Sequence, residues 1–198
     1  MADFFDVVLS QRAYRALRPD PVSDDLIAQI LNAAVHAPSG ENSQPWVFVV
    51  LTDRAARQQL ADLVRAAWDG GVREFARQHL SERFFAGVER WATVGFGDTP
   101  VQIVVCGDTT ACNESLLPSS IFPATQNLLL AAQALGLGSL LSTLPLLAGQ
   151  QVIDLLGLPP HIRPMGVVSL GWPARPLKKP TRMPFAAKTF RNRYGNPW

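Results

Sequence analysis

The sequence has few charged residues, cysteines and histidines, and it lacks a long hydrophobic run. Charged residues make up 17% of the 198 residues and hydrophobic residues 47%, whereas roughly a quarter of a typical globular domain is charged. This balance excludes disordered, collagen-like and mucin-like chains. Gly, Pro or polar residues interrupt every apolar stretch before the ~18 residues that a membrane span requires. We therefore expect one domain over residues 1–198, with enough apolar mass for a core.

Cys106 and Cys112 cannot form a disulfide framework, and the three histidines are far apart in the chain. No Cys/His spacing typical of a metal site is present, so we expect no metal. The opening MADFFDVVLSQR places acids before its apolar residues, the reverse of a secretory signal. These features predict a soluble, cytoplasmic protein with no membrane partner.

Positive charge is concentrated at one end of the chain. Residues 155–198 hold eight basic and no acidic residues, whereas residues 1–154 hold ten basic and sixteen acidic ones. A basic tail on an acidic body indicates either an anionic ligand or attraction of the tail to the body. We expect no nucleic-acid partner, because the tail is short and the net charge is only +2. The low charged fraction favours a homodimer that hides apolar surface.

Helices alternate with short apolar strands along the chain. Asp3 and Ser23 are predicted to cap helices, and a nearly all-round apolar helix is predicted at 124–135. Strands are predicted at 46–51, 101–106, 139–143 and 165–171. This order predicts an α/β or α+β class with one sheet between helical layers.

Two polar segments precede the first strand. In QRAYR (11–15), Arg12 and Arg15 would point the same way on a continued helical turn and could clamp a phosphate. Alternatively, the pair offsets the dipole at the helix C-terminus. The second segment is APSGENSQPW (37–46), whose Ser, Asn and Gln side chains suit the edge of a heteroaromatic ring. They could instead bond the backbone of their own turn.

Two further candidate segments lie in the second half of the chain, STLPL (142–146) and KKPTR (178–182). In order and spacing, the four segments resemble the nitroreductase family of flavin-dependent oxidoreductases. QRAYRALRPDPV is similar to the family's R-R-S-x-R-x-F-x-P-x-P-V, and APSGENSQPW to A-P-S-x-x-N-x-Q-P-W. QNLLLAA followed by GLG (126–138), and GWP (171–173) followed by Arg182, match its later patterns. The likeness runs from about residue 5 to 190 and is weakest at 65–95.

The resemblance implies an α+β fold with a central mixed sheet of four to five strands flanked by helices, in an interlocked homodimer. The basic tail, 172–198, would wrap the partner subunit. It also implies FMN at the subunit interface, with NADH or NADPH as the electron donor. Electrons would pass by a ping-pong mechanism to a nitroaromatic, quinone or similar small aromatic acceptor. Residues 65–95 and 107–119 are predicted to form the rim that selects the substrate.

The resemblance further implies roles for individual residues. Arg12 and Arg182, with Lys179, correspond to ligands of the FMN phosphate or ribityl chain, and Arg15 faces the pyrimidine edge of the flavin. The partner subunit would supply Pro38, Ser39, Gly40 and Asn42, and Gln44 also belongs to the cofactor-binding set. Ser142, Thr143 and Leu144 fall near flavin N5, and no residue is identified as a general acid. Gln11 and Ala13 belong to the same cofactor-binding set, but the family usually has Arg and Ser at these positions.

Other functions remain open at this point. The STLPL segment resembles T-T-T-P-L of the iodotyrosine deiodinase branch, and R-P-D-P-V is shared with the dimethylbenzimidazole synthase branch. The changes at Gln11 and Ala13 also allow a non-catalytic protein that binds or sequesters flavin.

Overall fold

Four strands form an antiparallel sheet in the order β1-β2-β4-β3. They are β1 (Trp46–Leu51), β2 (Val101–Asp108), β3 (Gly138–Ser142) and β4 (Ile162–Gly171). This computed structural model describes residues 3–176 and 178–198. The four described strands pair antiparallel throughout, and a parallel bridge joins only Ala13 and Ser139. The sheet is therefore antiparallel rather than mixed.

Helices cover both faces of the sheet. They are α1 (Phe4–Ser10), α2 (Asp24–Ala34), α3 (Arg54–Ala67), α4 (Arg73–His79), α5 (Glu82–Arg90), α6 (Phe96–Asp98), α7 (Leu117–Ala134) and α8 (Gln150–Leu156). The Asp3 side chain accepts from the backbone N–H groups of Phe5 and Asp6, and the Ser23 side chain accepts from that of Leu26. Both predicted caps are therefore confirmed.

The central helix begins earlier than the sequence predicts. It starts at Leu117 rather than at residue 124, with a proline in its first turn and Pro123 inside it. An internal proline removes a backbone hydrogen bond, which is why the sequence pattern places the start after Pro123. The buried side chains of Leu117 and Ile121 bind this first part of the helix to the core, and their burial outweighs the lost bond.

The core consists of two layers because alternate strand residues face opposite sides of the sheet. On β2, Ile103 and Val105 pack in the cluster with α2 and α7. Val104 and Cys106 pack in the other cluster, with α3 and the indoles of Trp68 and Trp91. This arrangement confirms the predicted α+β class. In the described ranges, no helix is both long and apolar enough to span a bilayer.

Candidate functional site

The segment after α1 is extended rather than helical. The helix ends at Ser10, and Gln11 closes it by donating its backbone N–H to the carbonyl of Val7. The next residues lie along β3: Tyr14 N–H donates to the carbonyl of Ser139 over 2.8 Å. The predicted helical turn carrying Arg12 and Arg15 is therefore wrong, because the start of β3 offers the backbone partners that a helix would otherwise supply.

Two glycines let this segment approach the sheet. Gly138 and Gly171 are paired across β3 and β4. A Cβ at Gly138 would lie 2.8 Å from Leu17 Cδ2, and one at Gly171 would lie 3.5 Å from Leu17 Cβ. The Leu17 side chain thus lies against bare backbone, and this contact fixes the height of the segment above the sheet.

The chain returns to the same segment after β4. Arg18 N–H donates to the carbonyl of Trp172, and Ala174 N–H donates to that of Ala16, both over 2.8 Å. The Tyr14 hydroxyl donates to the carbonyl of Arg175. These bonds bring the start of the basic tail beside residues 12–18, although more than 150 residues separate the two in sequence.

A cavity of about 970 Å³ opens between these two segments and α5. Its volume lies at the upper end of the range for small-molecule sites, roughly 300–1,000 Å³. Seven cationic side chains line it: Arg12, Arg15, Arg83, Arg175, Lys178, Lys179 and Arg182. Of the residues that the structure describes, no carboxylate is part of this lining. Such a wall suits a ligand that carries a phosphate or another oxyanion.

Arg15 is more enclosed than Arg12. Its guanidinium carbon lies 4.8 Å from the centre of the Phe84 ring, a distance typical of a cation–π contact. Burial, and then the neighbouring Arg12 cation, lower the pKa of Arg15. An arginine keeps its proton under such conditions, so Arg15 remains a fixed cation at one end of the cavity.

The structure brings together five residues of the predicted cofactor set: Arg12, Ala13, Arg15, Lys179 and Arg182. Lys179 also contacts the Asp6 carboxylate, with 3.4 Å between Nζ and Oδ1. Gln11 is not part of the cavity wall within the described ranges.

The predicted partner loop stands apart from this cavity, against α7. Gly40 N–H donates to the Ser120 hydroxyl over 3.3 Å, and Gln44 N–H donates to Ser39 Oγ over 3.0 Å. Pro38 is exposed. Three non-glycine residues of the loop have a left-handed backbone: Glu41, Asn42 and Gln44, with φ of 55°, 55° and 48°. Each costs on the order of 1 kcal/mol or more, so the loop is held in shape against an intrinsic preference.

Ser142, Thr143 and Leu144 follow the far end of β3. The Ser142 hydroxyl accepts from the backbone N–H of Leu144 over 3.2 Å. In the described chain these residues do not line the cavity, and neither does the predicted rim segment 107–119.

The sequence pattern did not single out Arg83 and Phe84. Both lie on α5, inside the stretch 65–95 where the resemblance is weakest and a rim is predicted. The amphipathic pattern of α5 predicts a helix but does not show which polar residues face a cavity.

A family model described as "Nitroreductase family" matches residues 8–172. The chain belongs to the nitroreductase family. It is 30% identical over 177 residues to a protein of Archaeoglobus fulgidus named as a putative NADH dehydrogenase/NAD(P)H nitroreductase, covering 87% of each chain. Enzymes of the nitroreductase family are generally oxidoreductases, and its members are typically dimeric.

Solved structures share the fold along nearly the whole chain. A protein of Parabacteroides distasonis, also named as a putative NADH dehydrogenase/NAD(P)H nitroreductase, superposes with a TM-score of 0.73 at 25% identity, covering 98% of this chain and 100% of that one. A protein of Desulfovibrio desulfuricans described as a putative nitroreductase, solved in complex with FMN, superposes with a TM-score of 0.74 at 23% identity, covering 98% of this chain and 99% of that one.

Some relatives of this chain are named for activities other than nitroreduction. A 5,6-dimethylbenzimidazole synthase of Rhodospirillum rubrum is 30% identical over 178 residues, covering 82% of this chain and 78% of its own. An iodotyrosine deiodinase of Danio rerio is 24% identical over 192 residues, covering 89% and 62%. Membership alone therefore does not identify the substrate.

The residues of the cavity fit FMN. A phosphate monoester carries a charge of roughly −1.5 to −2 near neutral pH, and the cations of the wall, among them Arg12, Lys179 and Arg182, are donors of the kind that such a group requires. Arg15 is a further cation of the wall, and its guanidinium lies against the Phe84 ring. The apolar and aromatic wall beside Arg15 is suited to a flat ring.

Proposed function

We propose that this protein is an FMN-dependent oxidoreductase that uses NADH or NADPH to reduce nitroaromatic, quinone or similar flat acceptors. The observation that carries the proposal is the convergence of Arg12, Arg15 and Arg182 on one cavity of suitable volume. FMN held there by the arginines would supply the redox chemistry, by which electrons from NADH or NADPH would reach the acceptor in a ping-pong mechanism.

The chain's own residues bind and orient the cofactor. Arg12 and Arg182 hold the phosphate by charge-assisted hydrogen bonds. The Arg15 guanidinium places a positive charge at the pyrimidine edge of the ring, where this charge favours the reduced form of the flavin. We propose that the ring extends beyond the cavity wall toward Ser142, Thr143 and Leu144, so that these residues approach N5. Gln11, also outside the wall, and Ala13, within it, are proposed to border the phosphate.

We further infer that the functional unit is a homodimer. Apolar side chains on α1 and the tail face solvent in the single chain, with Phe5 69% exposed and Phe185 68% exposed. Contact with a second copy would cover them. In that dimer the second copy's loop 38–44 would reach the cofactor, which gives a reason for its strained backbone, and the tail 172–198 would wrap the partner.

The test is spectroscopic. The purified protein should be yellow or take up added FMN, and NADH or NADPH should bleach it in the absence of oxygen. Light scattering after gel filtration should give twice the 21.6 kDa mass of one chain. A colourless protein that takes up no FMN contradicts the proposal, and FMN binding without reduction by either nucleotide would indicate a flavin-sequestering protein instead.

A further inference from the structure

Helix α5 presents a cation, an aromatic ring and bare backbone to the cavity. Arg83, Phe84 and Gly87 all line it, and Arg83 and Gly87 lie on the same helical face because they are four residues apart. A Cβ built on Gly87 meets no atom within 4 Å. A flat molecule could therefore approach the helix backbone at Gly87 with Arg83 at its edge.

The charge of Arg83 is not used by the fold. Within residues 3–176 and 178–198, the four ion pairs do not include Arg83. On α5, which begins at Glu82, the positions three and four residues beyond Arg83 are Ala86 and Gly87, and neither is acidic. Arg73 of α4, by contrast, is paired to Glu89, with 2.8 Å between Nε and Oε1. Arg83 thus lines the cavity and, among the described residues, belongs to none of the ion pairs.

The cationic charge of the cavity exceeds what the cofactor requires. FMN brings up to about two negative charges on its phosphate and about one more on the reduced ring. Asp6 adds one beside Lys179, and the loop of a second copy would add one through Glu41. Against these roughly five charges stand the seven cations of the wall. Arg83 is one of these seven cations, and it is adjacent in sequence to Phe84, the ring that the Arg15 guanidinium contacts.

We propose that Arg83 binds an anionic group, in particular a carboxylate, on the flat substrate that accepts electrons. The protein then selects anionic aromatic acceptors over their neutral analogues, with the aromatic ring lying against Gly87 and Phe84. This proposal rests on the proposed FMN-dependent function, and it names the acceptor class that the same site takes. A phosphate on the nicotinamide donor has the same chemistry and is distinguished by the test.

The test is the binding of benzoate and benzamide to the FMN-loaded protein, measured by calorimetry. These ligands have the same ring but differ in charge. The wild-type protein should bind benzoate about fivefold more tightly, as a partly exposed Arg–carboxylate pair allows. Arg83→Gln should bring the ratio of the two dissociation constants close to one, and Arg83→Lys should retain most of it. Arg90→Gln, on the same helix but outside the cavity wall, should keep the wild-type ratio.

A kinetic measurement and a steric variant complete the design. The ratio of kcat/KM for 4-nitrobenzoate to that for 4-nitrobenzamide should follow the binding ratio through the same variants. Gly87→Leu fills the open space and should weaken the binding of both ligands. The variant should still form the helix, because Leu has a higher helix propensity than Gly.

Each outcome decides between the possibilities. A binding ratio that Arg83→Gln leaves at the wild-type value overturns the proposal. A change in the NADPH-to-NADH ratio of kcat/KM without a change for benzoate also overturns it, because Arg83 would then bind the donor's phosphate. If the protein takes up no FMN at all, the proposed function itself fails and the proposal fails with it.

Discussion

Leu17 lies directly over Gly138, where its Cδ2 atom is 2.8 Å from the position that a Cβ would occupy. This contact joins the segment that carries Arg12 and Arg15 to the first residue of β3. It also places the segment where residues 172–175 can pair with it. The position of the cationic cavity wall therefore depends on an apolar contact between the Leu17 side chain and the backbone at Gly138.

Adding a methyl group at this contact should disturb the site. Gly138→Ala brings a Cβ within 2.8 Å of Leu17 and 3.1 Å of Tyr14. We expect the free energy of unfolding to fall by about 1–3 kcal/mol and the Kd for FMN to rise. Chemical denaturation and fluorescence titration measure the two effects. Leu17→Ala in the same chain should restore part of both, and Gly70→Ala, which meets no atom within 4 Å, should change neither.

The Tyr14 hydroxyl should hold the tail in place. Tyr14→Phe removes the bond to the Arg175 carbonyl, and one such bond contributes about 0.5–1.5 kcal/mol. We expect the Kd for FMN to rise by up to about tenfold, because Lys179 and Arg182 follow the released segment. Limited proteolysis should cut the variant's tail faster after residue 175. Tyr194→Phe is the control, since Tyr194 is 90% exposed; an equal effect there would contradict this role.

Removing the phosphate cations should weaken the binding of FMN but not of riboflavin. Arg12→Gln and Arg182→Gln each remove a charged donor worth about 1.5–3 kcal/mol, so each should raise the Kd for FMN more than tenfold. The dependence of that Kd on salt should also become shallower. Arg54→Gln, an exposed position on α3, should leave all three quantities unchanged. Loss of riboflavin binding to the same degree would show that these arginines do not recognise the phosphate.

The two thiols should differ in reactivity and in their effect on stability at high pH. Burial raises the pKa of Cys106 to about 12 from its ordinary 9.0, so the folded protein retains a proton that the unfolded chain loses above pH 9. The free energy of unfolding should therefore fall as pH rises from about 9 to 12, with a contribution from this group of up to about 1.4 kcal/mol per pH unit. Cys106→Ala should remove that contribution, and Cys112→Ala should keep it.

A thiol reagent provides an independent measurement on the same pair. In the native protein, one thiol, that of the partly exposed Cys112, should react. The second thiol, that of the buried Cys106, should react only on unfolding. Two fast-reacting thiols in the native state would contradict the buried position of Cys106.

Local features of the fold could be predicted from the sequence. The strand at 46–51 has the predicted bounds, and Asp3 and Ser23 cap their helices as predicted. These features depend on side-chain periodicity and on capping groups within a few residues of each other. Where a local rule competed with long-range packing, as at Pro123 in α7 and at Arg12 after α1, the prediction was wrong.

The sequence by itself determined the alternation of helices and strands, the helix caps and the excess of positive charge in the tail, because each is set by residues close together in the chain. The tertiary structure decided which cations meet. Arg15, Arg83 and Arg175 share one cavity only because the paired glycines of β3 and β4 accept Leu17, and because the backbone after β4 pairs with residues 16–18. Such contacts form between distant segments after the sheet has assembled, so no local pattern encodes them.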